Sequence, residues 1–179
     1  MRNLLLLLRH LRINTIEKGE IIIEKGELRK DVYFVRKGLI RSFFINEKSE
    51  EITFHLLPEN HVFGNIHAIL FDEPSLFSYQ ALERTKVYTI EYDAYFKVVE
   101  KNPEILEINR MHFNKTVLRQ AFQRVESLVL LSPEDRYKKY VKDYPNVIGR
   151  TPDKYIANVL GITPTSLSRI RKRISSKKE

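Results

Sequence analysis

The sequence predicts an α+β protein: an N-terminal antiparallel β-roll of the jelly-roll type, then a long helix, then a C-terminal all-α helix-turn-helix domain. Three observations predict this fold class. Short runs of β-branched and aromatic residues separated by glycines fill the first half. Helical patterns replace them after Tyr92, and the basic residues concentrate near the end. We expect domain boundaries that give residues 1–101 to the β-roll, 102–131 to the long helix and 132–179 to the helix-turn-helix domain.

The β-roll is predicted from its strands and turns. Lysine–glycine pairs at 18–19, 25–26 and 37–38 are typical of turns between strands. Residues 51–57 alternate, which predicts Phe54 and Leu56 on an apolar face and Thr53 and His55 on a polar face. A further strand pair is predicted over residues 80–90. Short strands at this spacing favour a closed antiparallel architecture.

The long helix is predicted to begin at Asn102-Pro103 and to reach Leu128. Apolar residues recur every seven positions in it, and other residues fill the alternate positions of the same stripe. This spacing is typical of a contact between two helices, in which one polar residue can fix the register. Contact with a second helix is one interpretation, and packing of the helix on its own β domain is the alternative of equal weight. The stripe consists of Met111, Asn114, Leu118, Ala121 and Val125.

The C-terminal domain has three predicted helix starts, at Ser132-Pro133, Thr151-Pro152 and Thr163-Pro164. The last two start the helices of a helix-turn-helix. That motif needs a small residue where the helices cross, a glycine in the turn, a capping residue and an apolar inward position. The chain meets these requirements at Ala157, Gly161, Thr163 and Leu167. A helical hairpin that serves only for packing is the alternative.

The second helix of this motif is predicted to present polar residues for DNA recognition. Arg169 is the candidate for a base contact, most plausibly with guanine, and phosphate contact is its alternative role. Short polar groups near the start of the helix fit the major groove, and further cations suit phosphates. The predicted DNA-binding residues are Thr163, Thr165, Ser166, Arg169, Arg171, Lys172, Arg173 and Lys154, with Arg150 as a further phosphate contact.

The composition supports this interpretation and excludes other functions. The net charge is +8 over 179 residues. Residues 1–101 are neutral, whereas residues 132–179 carry twelve Lys and Arg against five acids. A basic segment on a neutral body indicates a polyanionic partner, with a solvated basic tail as the alternative. The absence of cysteine excludes disulfides, cysteine-ligated zinc, an iron–sulfur cluster on cysteine ligands and a thiol nucleophile.

No membrane partner is expected. No stretch approaches the about 18 consecutive apolar residues that a membrane-spanning helix needs. The run Leu4–Leu8 ends at Arg9 and lacks a small-residue cleavage site, so it does not fit a signal peptide. We therefore expect a cytoplasmic protein.

The whole chain resembles the Crp–Fnr family of bacterial transcription regulators, and its final portion resembles the members common in Bacteroidetes. The resemblance depends on four segments: 30–38, Phe63-Gly64, 80–92 and 156–170. It implies a β-roll like that of cyclic-nucleotide-binding domains, a dimerisation helix and a C-terminal helix-turn-helix. It also implies a homodimer that binds a two-fold site on double-stranded DNA, RNA polymerase as a partner and a small-molecule effector whose identity is unknown.

The chain departs from the family pattern in the phosphate-binding cassette. Relatives that bind a cyclic nucleotide have Gly-Glu-Leu and, later, Arg-Ser or Arg-Thr, whose Glu and Arg hold the ribose and the phosphate. Here the corresponding residues, which are the candidate effector pocket, are Gly64, Asn65, Pro74 and Ser75. Proline offers neither a positive charge nor an N–H donor. We therefore expect no cyclic AMP binding through this cassette and no iron–sulfur cluster or other cofactor.

A second departure lies at the C-terminus, where five residues follow Ile174. That is too few for the β-hairpin wing of winged relatives, so we expect no full wing. Pro164-Thr165 replaces the Arg-Glu of the best-known relatives, so their operator sequence does not carry over.

Two other functions compete with DNA binding. A cupin-like, metal-dependent β-barrel enzyme needs two histidines one residue apart on a strand, an acid and a third histidine. His55, His61 and His67 are six residues apart and fit that pattern poorly. A ligand-binding scaffold that has lost DNA binding is the other alternative, against which the intact cap, turn and Arg169 argue. We expect a protein that is not an enzyme.

Overall fold

Eight strands precede the long helix among the described residues. The structure is a computed structural model that describes residue 7 and residues 9–176, without the side chains of residues 109, 112–114 and 116. Most of the Leu4–Leu8 run therefore lies outside the described residues. The strands are β1 (Arg12–Ile16), β2 (Ile21–Ile23), β3 (Asp31–Lys37), β4 (Ile40–Ile45), β5 (Glu51–Leu57), β6 (Val62–Gly64), β7 (Ser78–Ala81) and β8 (Thr85–Glu91).

The strands form two four-stranded antiparallel sheets, in the orders β1-β8-β3-β6 and β2-β7-β4-β5. Buried side chains from both sheets form one core, which includes Ile23, Tyr33, Val35, Ile40 and Val87. The predicted jelly-roll type of β-roll is confirmed.

Gly38 shows why one of the predicted turns needs glycine. Its φ angle is +114°, and a Cβ atom there would lie 2.3 Å from the Thr85 Oγ1 atom. Its N–H donates a hydrogen bond to the Glu59 carboxylate at 2.9 Å. Any side chain at position 38 would therefore collide with β8 as well as strain the backbone.

The strict alternation expected in β5 is wrong. The register pairs Ser42 with His55 and Phe43 with Thr53, so Phe54 is the extra residue of a β-bulge. A bulge shifts the side-chain pattern by one residue. Thr53 is buried as a result, although it was expected on the polar face.

Seven helices lie within residues 66–176, and the first of them stands between two strands. No helix among the described residues is long and apolar enough to cross a membrane. The helices are α1 (Ile66–Phe71), α2 (Tyr92–Val99), α3 (Pro103–Leu130), α4 (Pro133–Asp143), α5 (Pro145–Ile148), α6 (Asp153–Leu160) and α7 (Pro164–Ser176).

Two of the three predicted helix caps form. Ser132 accepts a hydrogen bond from the Asp135 N–H at 3.2 Å, and Thr163 accepts one from the Ser166 N–H at 3.1 Å. The cap expected at Thr151 is wrong. Pro152 takes the N-cap position of α6, and the buried Thr151 hydroxyl has no hydrogen-bond partner among the described residues.

A second apolar core holds the C-terminal helices together. It contains residues of α4, α6 and α7, and also Leu39 and Leu56 from the β-roll. Because the two parts share buried side chains, the C-terminal helices have a fixed position on the β-roll within one protomer.

Candidate nucleic-acid interface

Helices α6 and α7 are joined by a tight turn at Gly161. This residue has φ +66°, and its N–H donates to the Asn158 carbonyl at 2.9 Å. Glycine adopts the left-handed conformation without a steric penalty. A Cβ atom at this position would lie 3.3 Å from the Leu128 Cδ2 atom near the end of α3. The turn thus packs closely against the long helix.

The inner face of the helix pair is fully packed. Ile156, Ala157 and Leu167 are 0% exposed, and Ile170 is 6% exposed. The small side chain of Ala157 lies in the core that α6 and α7 share. Because this face is filled by apolar residues, the opposite face of α7 is the one that is open to a ligand.

The open face begins with the predicted short polar residues. Thr165 and Arg169 are exposed, and Arg169 forms no ion pair with any described residue. Ser166 is half-buried, and its hydroxyl accepts a hydrogen bond from the Thr163 hydroxyl at 2.9 Å. Thr163 and Ser166 therefore form hydrogen bonds that cap α7, whereas the Thr165 and Arg169 side chains form no hydrogen bond with a described residue.

Sequence reasoning missed one exposed residue on this face, Ser168. It lies three positions after Thr165 and four before Lys172, so all three share one side of the helix. This helical spacing could have identified Ser168 as an exposed residue from the sequence.

Arg171, which is expected to contact phosphate, is already bonded within the protein. Its guanidinium donates to the two Asp153 carboxylate oxygens at 2.6 and 2.7 Å, and its Nε donates to the Tyr137 hydroxyl at 3.1 Å. Asp153 is the first residue of α6, so the Arg171 side chain reaches the start of that helix. Within one protomer Arg171 therefore ties α7 to α6 and α4, and its contact with phosphate stays a prediction.

Three other cations surround the open face. Lys154 and Lys172 are exposed and form no ion pair within the described part of the chain. Arg173 donates to the Glu134 carboxylate at 3.1 Å, but its side chain is 59% exposed. An ion pair with such an exposed arginine contributes little to the free energy of unfolding. The Arg173 guanidinium can therefore exchange this partner for a phosphate.

Polar contacts fix the helix-turn-helix on the β-roll. The Arg150 guanidinium donates to Glu59 at 3.0 and 2.5 Å and to Glu83 at 2.9 Å. The Asn158 side chain accepts a hydrogen bond from the Thr53 N–H at 3.1 Å. Arg150, also expected to contact phosphate, joins the two parts within one protomer. We call the Arg150 contact with Glu59 and Glu83 the interdomain clamp.

The predicted stripe of α3 is exposed in one protomer. Met111, Leu118 and Val125 are 49%, 56% and 59% exposed, and Ala121 is exposed as well. The Asn114 side chain lies outside the described residues. Packing of these apolar residues on the protein's own β-roll, the alternative considered above, is therefore not what the structure has.

The segments of the candidate effector pocket meet at Glu27, whose carbonyl accepts hydrogen bonds from the Asn65 side chain and the Ser75 N–H. The buried Asn65 side chain donates to the Glu27 carbonyl at 2.6 Å and accepts from the Ala68 N–H at 3.2 Å. The buried Ser75 hydroxyl donates to the Phe77 carbonyl at 2.7 Å. A Cβ atom at Gly64 would lie 2.7 Å from the Asp31 carbonyl oxygen, and Pro74 is exposed. The nearby Lys30 is paired with Asp72 at 2.5 Å.

The three histidines of the competing metalloenzyme hypothesis do not form one cluster in the described part of the chain. His67 lies against the rings of Phe71 and Phe77. His61 contacts the Glu59 carbonyl oxygen at 3.2 Å through Nδ1. Among the described residues, no group of three histidine, aspartate or glutamate side chains is arranged to hold a metal ion.

Known proteins resemble this chain both in the β-roll and in the helices that follow it. Residues 13–102 match the family profile described as cyclic nucleotide-binding domain. The match continues beyond the β-roll: the global nitrogen regulator of Synechococcus elongatus is 27% identical over 173 residues, which cover 89% of this chain and 77% of that protein. The chain belongs to the Crp–Fnr family. The fumarate and nitrate reduction regulatory protein of Vibrio cholerae is also 27% identical, over 89% of this chain and 67% of its own length.

Solved structures agree with this Crp–Fnr fold. FixK2 from Bradyrhizobium japonicum superposes with a TM-score of 0.77 at 20% identity, covering 94% of this chain and 86% of that one. A CooA variant from Carboxydothermus hydrogenoformans gives a TM-score of 0.72 at 18% identity, covering 95% and 78%. The curated relatives are named as regulators rather than enzymes.

Proposed function

We propose that this Crp–Fnr protein is a transcription regulator that binds double-stranded DNA sequence-specifically as a homodimer, with α7 as its recognition helix. The observation that carries the proposal is the face of α7 that bears Thr165, Ser168 and Arg169. It is exposed, polar and unengaged, and it belongs to a helix whose other face is fully buried. A two-helix unit of this kind places its second helix in the major groove.

Within this face, Arg169 is assigned to base recognition. An arginine can donate two hydrogen bonds to O6 and N7 of guanine, which discriminates against other bases by about 1–3 kcal/mol. Thr165 and Ser168, with the hydroxyls of Thr163 and Ser166, are short enough to let the helix approach the base edges. Lys154, Lys172 and Arg173 are assigned to phosphates, which position the protein without specifying sequence.

The exposed stripe of α3 is assigned to the dimer contact. Its apolar residues at intervals of seven match what a two-stranded helix contact buries. A dimer formed through this helix has two recognition helices, which bind half-sites separated by about 34 Å, or 10–10.5 base pairs. In this division, residues 1–101, 102–131 and 132–179 form the sensor-like β-roll, the dimer helix and the DNA-binding domain.

The effector is assigned to a class other than the usual cyclic nucleotides. Asn65 and Ser75 use their polar groups on neighbouring main chain, and Pro74 supplies no charge for a cyclic phosphate. An effector that changes the position of the β-roll against the DNA-binding helices would shift the population of DNA-competent dimers. RNA polymerase is the expected protein partner, as for the family.

The test of this proposal compares two substitutions on α7. Arg169→Ala should lower the preference for the selected site over random DNA, because it removes a base contact. Lys172→Ala should weaken binding to all sequences and reduce the slope of log affinity against log salt concentration by about one, because it removes a phosphate contact. Fluorescence anisotropy at several salt concentrations measures both effects.

The control is Arg84→Ala, which removes an exposed arginine of the β-roll that pairs with Glu17. It should leave DNA affinity and the salt slope unchanged. An Arg169→Ala protein with unaltered site preference would contradict the base-reading assignment. If the unmodified protein had no measurable affinity for DNA at low salt, the scaffold hypothesis would replace the proposal.

A further inference from the structure

A cavity of about 170 Å³ lies where the β-roll, the long helix and the DNA-binding helices meet. Its walls come from β5, the C-terminal part of α3, α4 and the end of α6. It lies apart from the candidate effector pocket, because none of Gly64, Asn65, Pro74 and Ser75 lines it. Its volume is below the about 300–1,000 Å³ of pockets for drug-sized ligands, so its occupant must be small. We call it the junction cavity.

The junction cavity is rich in cations that lack an acidic partner. Arg124 and Arg136 both line it, and neither forms an ion pair with a carboxylate of a described residue. Arg124 donates to the Val159 carbonyl, and Arg136 donates to the Leu131 carbonyl at 3.0 Å and, more weakly, to the Leu128 carbonyl at 3.4 Å. Burial and then the nearby charge of Arg136 lower the pKa of Arg124. The two guanidiniums thus repel each other, and their described partners are the Phe54 ring and main-chain carbonyls rather than carboxylates.

The other polar groups of the lining add to this imbalance. Asp143, the acidic residue of the lining, is already bound to Lys139 at 2.8 Å. Burial, followed by the charge of Arg124, lowers the pKa of His55 to about 4, so this imidazole is neutral at neutral pH. Gln120, Gln123 and Ser127 supply further neutral donors.

Buried donors next to the cavity are also unsatisfied. The Nε atoms of Arg124 and Arg136 and the hydroxyl of Tyr140 are buried without a hydrogen-bond partner among the described residues. Leaving a buried donor unpaired is costly, and more so for a charged group. Unpaired buried donors beside two arginines that lack a carboxylate partner favour an anion, which can accept those hydrogen bonds and balance the charge.

We propose that the junction cavity binds a small organic oxyanion, with Arg124 and Arg136 as the groups that recognise its carboxylate or phosphate oxygens. Leu57, Leu128 and Leu160 give the cavity apolar surface for the short carbon skeleton of such a molecule. This inference goes beyond the proposed function and does not depend on DNA binding.

The experiment is isothermal titration calorimetry of the full chain at fixed ionic strength, without DNA. The probes are succinate, inorganic phosphate and the neutral isostere succinamide. We expect a dissociation constant of about 1 mM or tighter for succinate or for phosphate. Binding of succinate alone identifies carboxylates, binding of phosphate alone identifies phosphates, and succinamide should not bind. If neither anion bound, or if succinamide bound as well as succinate, the proposal would be overturned.

Substitutions locate the site. Arg136→Gln should weaken binding about tenfold or more, because it removes a charged hydrogen-bond donor. Since Arg136 also bonds main-chain carbonyls, a second variant protects the test against misfolding. Lys139→Gln changes an exposed side chain of the lining and leaves the Asp143 carboxylate there without its cation, so it should weaken anion binding roughly two- to fivefold.

Lys138→Gln is the matched control, because Lys138 is the next residue on α4, is equally exposed and pairs with Glu134 outside the junction cavity. The affinity of the Lys138→Gln protein for the anion should stay within about twofold of that of the unmodified protein. Equal weakening in the Lys138 and Lys139 variants would mean that the anion responds only to surface charge, and it would overturn the assignment to this cavity.

Discussion

Glu59→Gln tests how strongly the interdomain clamp holds the DNA-binding helices on the β-roll. The Glu59 carboxylate accepts two hydrogen bonds from Arg150 and a third from the Gly38 N–H. These hydrogen bonds, that of Arg150 foremost, lower the pKa of Glu59 from 4.5 to about 2. Glutamine keeps the shape of the side chain and removes its charge.

The magnitude follows from that pKa. One pKa unit corresponds to about 1.36 kcal/mol, so the ionised Glu59 contributes at most roughly 3 kcal/mol to the free energy of unfolding. Its side chain is 29% exposed, so solvent screening reduces this to about 2 kcal/mol. Because the folded pKa is depressed, the contribution is complete above about pH 4.5 and is lost as the pH falls toward 2.

Urea unfolding at several pH values measures this contribution. The chain has nine tyrosines and no tryptophan, so tyrosine fluorescence and circular dichroism are the signals. At pH 7 the Glu59→Gln protein should be less stable by about 2 kcal/mol, and the difference should vanish near pH 2. Glu17→Gln is the control, because Glu17 and Arg84 form a pair that is 67% and 69% exposed. It should cost less than about 1 kcal/mol. A Glu59→Gln protein as stable as the control, or a difference independent of pH, would refute the reasoning.

Three further predictions concern the turn, the dimer helix and the effector. Gly161→Ala should lower the free energy of unfolding by about 1–2 kcal/mol in the same urea assay, because a left-handed residue acquires a Cβ atom; an unchanged value would contradict the strain argument. Leu118→Asp should convert the proposed dimer to monomer in sedimentation velocity, because it places a charge in the α3 stripe; a dimer that persists would assign the contact elsewhere. Cyclic AMP should give no heat of binding in isothermal titration calorimetry. Micromolar or tighter binding would contradict the expectation that the altered cassette does not bind cyclic AMP.

Much of the fold was predictable because it depends on local patterns. Glycine turns separated the strands, and Ser132 and Thr163 marked two helix starts. The bulge in β5 was not predictable, because Phe54 fits a regular alternation and only the pairing with β4 reveals the extra residue. Thr53 is buried because its strand faces α6, which lies about a hundred positions later in the sequence.

The candidate nucleic-acid interface was predictable where helical periodicity determines exposure. The spacing that puts Leu167 and Ile170 inward also puts Thr165 and Arg169 outward. The roles of Arg150 and Arg171 could not be deduced, because their partners are distant in sequence: Glu59 for the first and Asp153 for the second. A sequence count of cations does not distinguish an arginine available to DNA from one already paired within the protein.

The most direct test of the central claim is selection of bound sequences from a random double-stranded DNA library with the full chain. The account predicts enrichment of a two-fold symmetric site whose half-sites are centred about 10–10.5 base pairs apart and contain a guanine that depends on Arg169. Loss of that guanine preference in the Arg169→Ala protein would support the assignment of Arg169 to the base contact. A library that shows no enrichment, or an enriched site without two-fold symmetry, would contradict a homodimer that reads DNA through α7.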